Sequence, residues 1–431
     1  MSTNNVPEQV IAVGVVLADQ TRRVADEHLD ELEKLIETAG GVVVAKILAK
    51  RQAPDAATWI GSGKAEEIKR LAEKQNVSLI VFDDELSPAQ TRNLEKIIDT
   101  KVIDRSALIL DIFAGRARSR EARTQVELAQ LEYMLPRLTR QWSHLERQAG
   151  GIGTRGVGET QLEIDRRIVR TRIGQLKGEL QKIEQTRYTQ RKSRSAAFTV
   201  ALVGYTNAGK STLFNRLTGG SAWAVDKLFA TLDAKSQRMA HPMPRPTVVT
   251  DTVGFVRKLP HHLVASFRST MEEAVSADLV LHVIDSAHEE QAEVGEEVLR
   301  DLAIAEDRII EVWNKVDLGS RGFEVSRSRG SHSETAQPRD RTTSISALTG
   351  RGIENLVDLI RQRELEGGEV LQLEIPHEES RMLAKLHDVA EVYEQRSADR
   401  GTRVTAWIPQ NAIDRFAHFS VSISSRRAKV G

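Results

Sequence analysis

The octapeptide Gly204-Tyr205-Thr206-Asn207-Ala208-Gly209-Lys210-Ser211 constrains the fold more than any other stretch of the chain. Two glycines five positions apart, followed by Lys and Ser, fit a phosphate-binding loop. Ahead of it runs Ala197-Phe198-Thr199-Val200-Ala201-Leu202-Val203, apolar and β-prone as a buried strand should be. Leu213, Phe214 and Leu217 follow at helical spacing. Strand, loop and helix therefore come in the order that lets backbone N–H groups curl around phosphates, with the helix N-terminus adding partial positive charge. Lys210 is expected to reach the β- and γ-phosphates, and the Ser211 hydroxyl to bind Mg²⁺. An ordinary glycine turn is the bland alternative. Three downstream motifs fit the same nucleotide and argue against it.

The first is Asp251-Thr252-Val253-Gly254, about 40 residues on. Asp251 is expected to hold Mg²⁺ through water, and the Gly254 N–H to sense the γ-phosphate. The second, Asn314-Lys315-Val316-Asp317, decides the base. A carboxylate at Asp317 can accept both N1–H and the exocyclic amine of guanine. Adenine presents no such donor pair, and a site built for those bonds rejects the base lacking them by a large factor. Ser346-Ala347-Leu348, after the strand-like Thr342–Ile345, then brings backbone N–H groups near guanine O6.

Between Ser211 and Asp251, Phe229-Ala230-Thr231-Leu232-Asp233 offers a threonine that can close on Mg²⁺ and the γ-phosphate when a triphosphate is bound. Thr218 and Thr247 sit too close to the neighbouring motifs for that work. Lys210, Thr231 and Gly254 are thus the expected catalytic groups. Many GTPases carry Gln after the Asp-x-x-Gly glycine to orient the attacking water; this chain carries Phe255. A Phe cannot hydrogen-bond water in that way. Intrinsic hydrolysis is expected to be slow, with a partner or a rearranged loop supplying the missing group. Lys258–Thr270 reads as the mobile second switch and its helix. Asn207 raises K⁺ beside the phosphates as a possible cofactor; a structural Asn in a tight turn is the alternative.

The whole chain of 431 residues has room for two to four domains. The reading is a multi-domain α/β protein. Residues 1–112 form a small parallel α/β N-terminal domain. A helical hairpin arm follows over 113–195, then a P-loop GTPase (Rossmann-like) domain over 196–363 and a small α+β C-terminal domain over 364–431. In the first block, strand-like Ile11–Leu17, Val42–Leu48, Val77–Phe82 and Val102–Asp104 alternate with helical stretches, which argues a parallel sheet with right-handed crossovers. Gly61-Ser62-Gly63-Lys64 resembles a second phosphate loop but fails the pattern: Thr58 stands where the first glycine belongs, and Ala65 follows the lysine. A glycine turn admitting a close neighbour fits better; its functional version puts Lys64 on an RNA phosphate.

Formal net charge is zero, yet Arg116–Arg194 holds 18 Lys and Arg against 9 Asp and Glu, a net of +9. Leu128, Leu131, Leu135 and Leu138 fall on one helix face. Leu162, Val169, Ile173, Leu176, Leu180 and Ile183 follow a 3-4 spacing, the mark of a two-helix seam. Between them lie five glycines in Gly150–Gly158. A loop of this kind builds no core of its own, and either it is a long turn or it orders against a large polyanion. Gly151, Gly153, Arg155 and Gly156 are the expected RNA contacts, flanked by Arg140, Arg147, Arg166 and Arg167. Gly319–Arg341 reads as a disordered insert rich in Ser, Arg and Gly. In the tail, Leu371–Ile375 and Arg403–Ile408 read as strands, and Leu383 to Tyr393 as an amphipathic helix.

No cysteine is present, so thiolate metal sites and catalytic thiols are excluded. No run of about 18 apolar residues exists, so no membrane span is expected, and the N-terminus lacks a signal-peptide pattern. The expectation is a cytoplasmic monomer.

Taken together these motifs resemble the HflX-type ribosome-associated GTPases of the Obg–HflX group. The specific marks are Ile60–Lys64, Phe82-Asp83-Asp84-Glu85-Leu86-Ser87-Pro88, Asp104-Arg105-Ser106 through Asp111-Ile112-Phe113, and Gly150–Glu159. The resemblance covers nearly the whole chain. It implies a GTP-hydrolysing switch that binds the large ribosomal subunit, glycine tip against ribosomal RNA, and splits or rescues stalled ribosomes under stress. Some members have been credited with ATP use through the N-terminal domain; no second phosphate loop is present here. A protein-partnered signalling GTPase and an RNA-remodelling ATPase are the competing readings.

Overall fold

The computed structural model describes residues 7–18, 21–138, 161–192, 197–220, 228–229, 231–243, 246–258, 268–288, 290–318, 341–398 and 400–421. The chain divides into two compact units. One gathers Met1–Gln185 with the segments Val225–Asp233 and Val256–Ser269; the other holds Thr186–Ala224, Ala234–Phe255 and Thr270–Gly431.

The first unit is built on β1 (Glu8–Val16), β2 (Gly41–Lys50), β3 (Leu79–Phe82) and β4 (Lys101–Asp104), all parallel, in the order β2-β1-β3-β4. The helices between them are α1 (Arg22–Ala39), α2 (Ser62–Gln75) and α3 (Pro88–Ile98). Unbroken burial from Val10 to Val16 is what a strand covered on both faces requires. Local chemistry sets the helix ends. Thr21 caps α1, which stops at Gly40 in the left-handed region, while Ser87 and Gln90 form a reciprocal capping box with Pro88 at the first helical position. The expected strands are present with shifted ends. Gly61 opens α2 at φ +81°, and a Cβ there would lie 1.4 Å from Arg51 Nη2, whose guanidinium donates to the Ile60 carbonyl. Gly61 is thus the turn that admits Arg51, while Ser62, Gly63 and Lys64 already belong to α2.

Helix α4 (Arg105–Arg116) starts directly on β4 and is buried through Ile112 and Phe113, so a boundary between residues 112 and 113 would cut it. The arm pairs α5 (Arg120–Met134) with α6 (Gln161–Lys192). Arg172 grips Glu127 with two bonds of 2.7 and 3.0 Å, and Lys177 pairs with Glu132 at 2.8 Å. Such exposed pairs contribute roughly 0–1 kcal/mol each. Buried Leu128, Ala129 and Leu176 outweigh them, at about 1.5–3 kcal/mol for a fully buried leucine. The expected single helix through Leu138 is corrected: α5 stops at Met134, and Leu135–Arg137 is a 3-10 turn, because Pro136 lacks the N–H a helix needs. Asp104 fixes the foot of the arm. It accepts from Leu86 N, Ala107 N, the Tyr133 hydroxyl and Arg137 Nη2, all between 2.9 and 3.1 Å. The glycine tip, including Gly151, Gly153, Arg155 and Gly156, lies outside the described residues, as do Arg140 and Arg147.

The second unit holds β5 (Phe198–Gly204), β6 (Lys235–Arg238), β7 (Thr247–Asp251), β8 (Leu279–Asp285), β9 (Ile309–Asn314) and β10 (Thr342–Ser344). Their order is β10-β9-β8-β5-β7-β6, parallel except for the edge strand β6. Helices α7 (Lys210–Thr218), α8 (Arg268–Ser276) from Thr270 onward, α9 (Glu290–Asp301) and α10 (Ile353–Glu366) belong to the same unit. His282 on β8 is a buried polar residue of this unit. A Cβ at Gly295 of α9 would come 2.1 Å from His282 Nε2, and that nitrogen is buried without a hydrogen-bond partner among the described residues. Burial, then the nearby Lys210 charge, lowers its pKa to about 4. The unfolded chain therefore takes up a proton below about pH 6.5 that the fold refuses until about pH 4. Stability should fall across that window by up to about 1.4 kcal/mol per pH unit. His282→Leu should flatten the loss; an unchanged acid limb in denaturant titrations would rule out His282 as its source.

Beyond α10 come β11 (Gly368–Pro376), α11 (Ser380–Val389), β12 (Glu391–Ala398), β13 (Gly401–Pro409) and α12 (Gln410–Phe416). The three strands pair antiparallel in the order β11-β13-β12. One correction applies: Tyr393 belongs to strand β12, not to the preceding helix, which ends at Val389. The apolar spacing ran on across Ala390 and hid the boundary. Among the described residues no helix is long and apolar enough to cross a membrane. The 319–341 insert lies outside the described residues apart from Arg341.

Candidate functional site

Strand β5 runs straight into the phosphate loop, and α7 begins at Lys210. Gly209 stands at φ +93°, where a Cβ would come 2.2 Å from Asn314 Nδ2; at Gly204, φ +146°, it would meet the Val283 carbonyl at 2.1 Å. Both positions demand glycine. Asn207 also has positive φ, +63°, so the turn alone accounts for an Asn there, and nothing among the described residues supports a K⁺ site. The Tyr205 side chain is buried in the sheet's core, as is Ala208; the loop presents backbone. The buried Thr206 Oγ1 has no hydrogen-bond partner among the described residues.

Lys210 is buried and donates to the Gly204 and Tyr205 carbonyls at 3.0 and 2.8 Å. Burial pulls its pKa down to about 8, against the pull of Asp251. Ser211 Oγ donates to Asp251 Oδ2 at 2.7 Å. Hydroxyl and carboxylate are hard oxygen ligands of the kind Mg²⁺ takes, with phosphates and waters completing its shell. Among the described residues no group of three or more His, Cys, Asp or Glu could hold a metal ion. Thr252 and Val253 are not presented to a ligand. The Thr252 hydroxyl donates to the Leu202 carbonyl at 2.6 Å, and Val253 is buried.

On the base side, Asn314 acts as a staple. Its Nδ2 donates to the Ala208 carbonyl at 2.8 Å, and its Oδ1 accepts from Ala347 N at 2.9 Å. Phosphate loop, Asn-Lys-x-Asp turn and Ser-Ala-Leu loop are thereby locked together. Lys315 pairs with Asp285 at 2.8 Å, and Val316 N donates to the Ile345 carbonyl at 3.3 Å. Asp317 sits exposed on the 3-10 turn Val316–Leu318. Buried Ser346 holds its own loop by accepting from Thr349 N, while Leu348 is exposed. Arg216 donates to the Ala347 and Leu348 carbonyls at 3.2 and 2.6 Å. Sequence reading missed Asp285 and Arg216. Only strand register, which sets Asp285 opposite Asn314, could have pointed to the first.

The expected first-switch residues fall in the N-terminal unit. Phe229, Thr231 and Leu232 are buried there, and the Phe229 ring stands edge-on to Phe113 at 4.7 Å. Asp233 accepts from Arg118 N, Ser119 N and the Ser119 hydroxyl, at the start of α5. Ala230 lies outside the described residues. Lys64 pairs with Glu67 at 2.7 Å on α2.

A family described as "GTP-binding GTPase N-terminal" matches residues 26–114, "GTP-binding GTPase Middle Region" matches 116–194, and "50S ribosome-binding GTPase" matches 199–315. GTPase HflX of Lacrimispora saccharolytica is 43% identical over 409 residues, 94% of each chain. The chain belongs to the HflX GTPase family. GTPase HflX of Escherichia coli is 44% identical over 383 residues, covering 87% of this chain and 88% of the relative. A solved GTP-binding protein from Sulfolobus solfataricus, in complex with GDP, is 26% identical, with TM-score 0.42, over 82% of this chain and 98% of that one. Like its HflX relatives, this protein is a GTPase that binds GTP and hydrolyses it.

Proposed function

We propose that this HflX-family GTPase is a GTP-driven switch that binds the large ribosomal subunit and splits or rescues stalled ribosomes. It works as a cytoplasmic monomer, and its four parts divide just past α4, at about residue 116, and at about residues 195 and 363. The observation that carries the reading is the match of residues 199–315 to a family described as 50S ribosome-binding GTPases. The net +9 of Arg116–Arg194 supports RNA as the surface met, with Lys64 and the glycine tip as contacts.

In this reading Gly204–Ser211 cradles the phosphates and Asp317 reads guanine, with Lys315, Val316 and the Ser346–Leu348 amides around it. Ser211, with Asp251 through water, would hold Mg²⁺, and Thr231 would join them in the GTP form. The ion would neutralise charge on the β- and γ-phosphate oxygens. Phe255 makes the free protein slow. Phe255 is 2% exposed within the second unit's core and its side chain cannot hydrogen-bond water, so the water-positioning group must come from a partner or a rearranged loop.

GTP turnover should therefore rise at least tenfold when purified large subunits are added, and the gain should fade steeply with salt as the free energy gained by counterion release shrinks. Small subunits should have no effect. Equal turnover with and without large subunits, in a protein that still binds GTP, would refute the ribosomal reading. Stimulation by a protein fraction with little salt dependence would instead favour a protein-partnered switch.

A further inference from the structure

The base-side loop from Ser346 to Arg351 commits nearly all of its backbone donors. The Ser346 N–H donates to the Arg351 carbonyl at 2.9 Å, the Gly350 N–H to the Ser346 carbonyl at 2.8 Å, and the Thr349 N–H to Ser346 Oγ at 3.1 Å. The Arg351 N–H donates to Thr349 Oγ1 at 3.4 Å, and Asn314 Oδ1 takes the Ala347 N–H at 2.9 Å. Among the described residues the Leu348 N–H is the amide of this loop that has no partner, and Leu348 itself is exposed. Backbone donors that are about to be covered need an acceptor, so a group arriving over this loop must bring one.

The peptide that carries this N–H is gripped from its other side. A trans peptide points its C=O and N–H in opposite directions. The Ala347 carbonyl, which shares a peptide with the Leu348 N–H, accepts from Arg216 Nε at 3.2 Å. The following carbonyl, that of Leu348, accepts from Arg216 Nη2 at 2.6 Å. A planar guanidinium on two successive carbonyls fixes the peptide plane, and a cation at the oxygen strengthens the N–H opposite. Arg216 stands six positions after Lys210 on α7, so about 9 Å of helix links the phosphate end of the site to the group that orders the base loop. Asn314 ties the same two ends, through Ala208 and Ala347. All of these residues belong to the second unit.

We propose that the Leu348 N–H is the donor that reads O6 of guanine, and that Arg216 is the positioning residue that aims and strengthens it. The inference rests on the reading that the Ser346–Leu348 amides lie around the base. O6 is next to N1 on the guanine edge assigned to Asp317. Asn314, three residues before Asp317, holds the amide adjacent to that of Leu348. Adenine carries an amine where guanine carries O6, so two donors would face each other there and add to the rejection at Asp317. Arg216 touches no nucleotide in this arrangement; it acts through one peptide. Any residue type at 348 supplies the same N–H, which is why the sequence is silent on it. A plainer role exists for Arg216, since a cation in the last turn of a helix complements the helix dipole. That role affects stability and leaves the choice of base unchanged.

The test measures the affinities of GDP, inosine diphosphate and 6-thioguanosine diphosphate for the full-length protein, as wild type, Arg216→Met and Arg216→Lys. Inosine keeps O6 and N1–H and lacks only the 2-amine. 6-Thioguanosine keeps both donors for Asp317 and puts a weakly accepting sulfur in place of O6. Arg216→Met should weaken GDP and inosine diphosphate roughly tenfold, the scale of one charge-assisted hydrogen bond. The 6-thio nucleotide should weaken by less than about threefold, because its bond to the Leu348 N–H is poor from the start. Arg216→Lys keeps the charge without the fork and should fall between. Arg216 is exposed, so neither variant removes core packing, and Arg216→Lys carries the comparison if Arg216→Met misfolds. An unchanged ratio of GDP to 6-thioguanosine diphosphate affinity in both variants, whether all three nucleotides weaken equally or none does, would overturn the role of Arg216. A wild type that holds the 6-thio nucleotide as tightly as GDP would overturn the reading of this loop at O6, and Arg216's part with it.

Discussion

Asp317→Asn is expected to turn this GTPase toward xanthosine triphosphate, costing GTP at least about 1,000-fold in affinity. Sites built to hydrogen-bond a substrate reject one that leaves those groups unpaired by roughly 10⁴–10⁵. Asp317 can receive two guanine donors, N1–H and the exocyclic amine. An Asn offers a donor where guanine also has one, and two donors face each other. Xanthine carries a carbonyl in place of the amine, so the Asn amide finds an acceptor. The structure makes the experiment clean, because Asp317 is exposed on a short 3-10 turn. Neighbouring Asn314 would not serve. It is buried and joins Ala208 to Ala347, so its loss should damage loop geometry along with base recognition. Competition of guanosine and xanthosine triphosphates for the variant is the measurement. A variant that still prefers GTP would mean that Asp317 does not read the base.

What the sequence made legible was local. Gly204–Ser211, Asp251–Gly254 and Asn314–Asp317 each carry their chemistry within eight residues, so spacing alone exposed them. The alternation of strands and helices was equally open, since burial on both faces writes long apolar runs. The contacts that lock the site together were hidden. Asn314 meets Ala208 across 106 residues, and Arg216 meets Ala347 across 131. No periodicity records such a pairing. Phe255 shows both sides of this. Its side chain carries the expectation of slow hydrolysis, but its backbone bridge to Tyr205 needed the fold, because any residue type can make it. Asp233 shows the same limit: a carboxylate beside the switch threonine reads as nucleotide chemistry, and its bonds to Arg118 and Ser119, 115 and 114 residues away, left no mark in the sequence.

Lys210→Met should abolish nucleotide binding and yet stabilise the nucleotide-free protein. Nucleotide affinity should drop at least about 100-fold, the scale of a lost charge-assisted contact to phosphate. The stability effect follows from burial. Lys210 lies in the interior, and burial lowers its pKa from 10.5 to about 8. A lysine with a depressed folded pKa destabilises the fold while charged; the penalty is complete below about pH 8 and fades as pH rises from there toward 10.5. Met fills similar volume without charge. The gain is offset in part because the Gly204 and Tyr205 carbonyls lose their donor, at about 1 kcal/mol each. A net gain on the order of 1 kcal/mol should remain at pH 7 and disappear above about pH 9. The same proton shapes binding in the wild type. Phosphates favour the charged ammonium, so above about pH 8 binding must take up a proton, and affinity should weaken by up to about tenfold per pH unit. Thermal melts across pH 6–10, with and without GDP, test both limbs. A variant less stable than wild type at pH 7, or a wild-type GDP affinity flat from pH 7 to 10, would show that burial does not hold Lys210 poised for its phosphates.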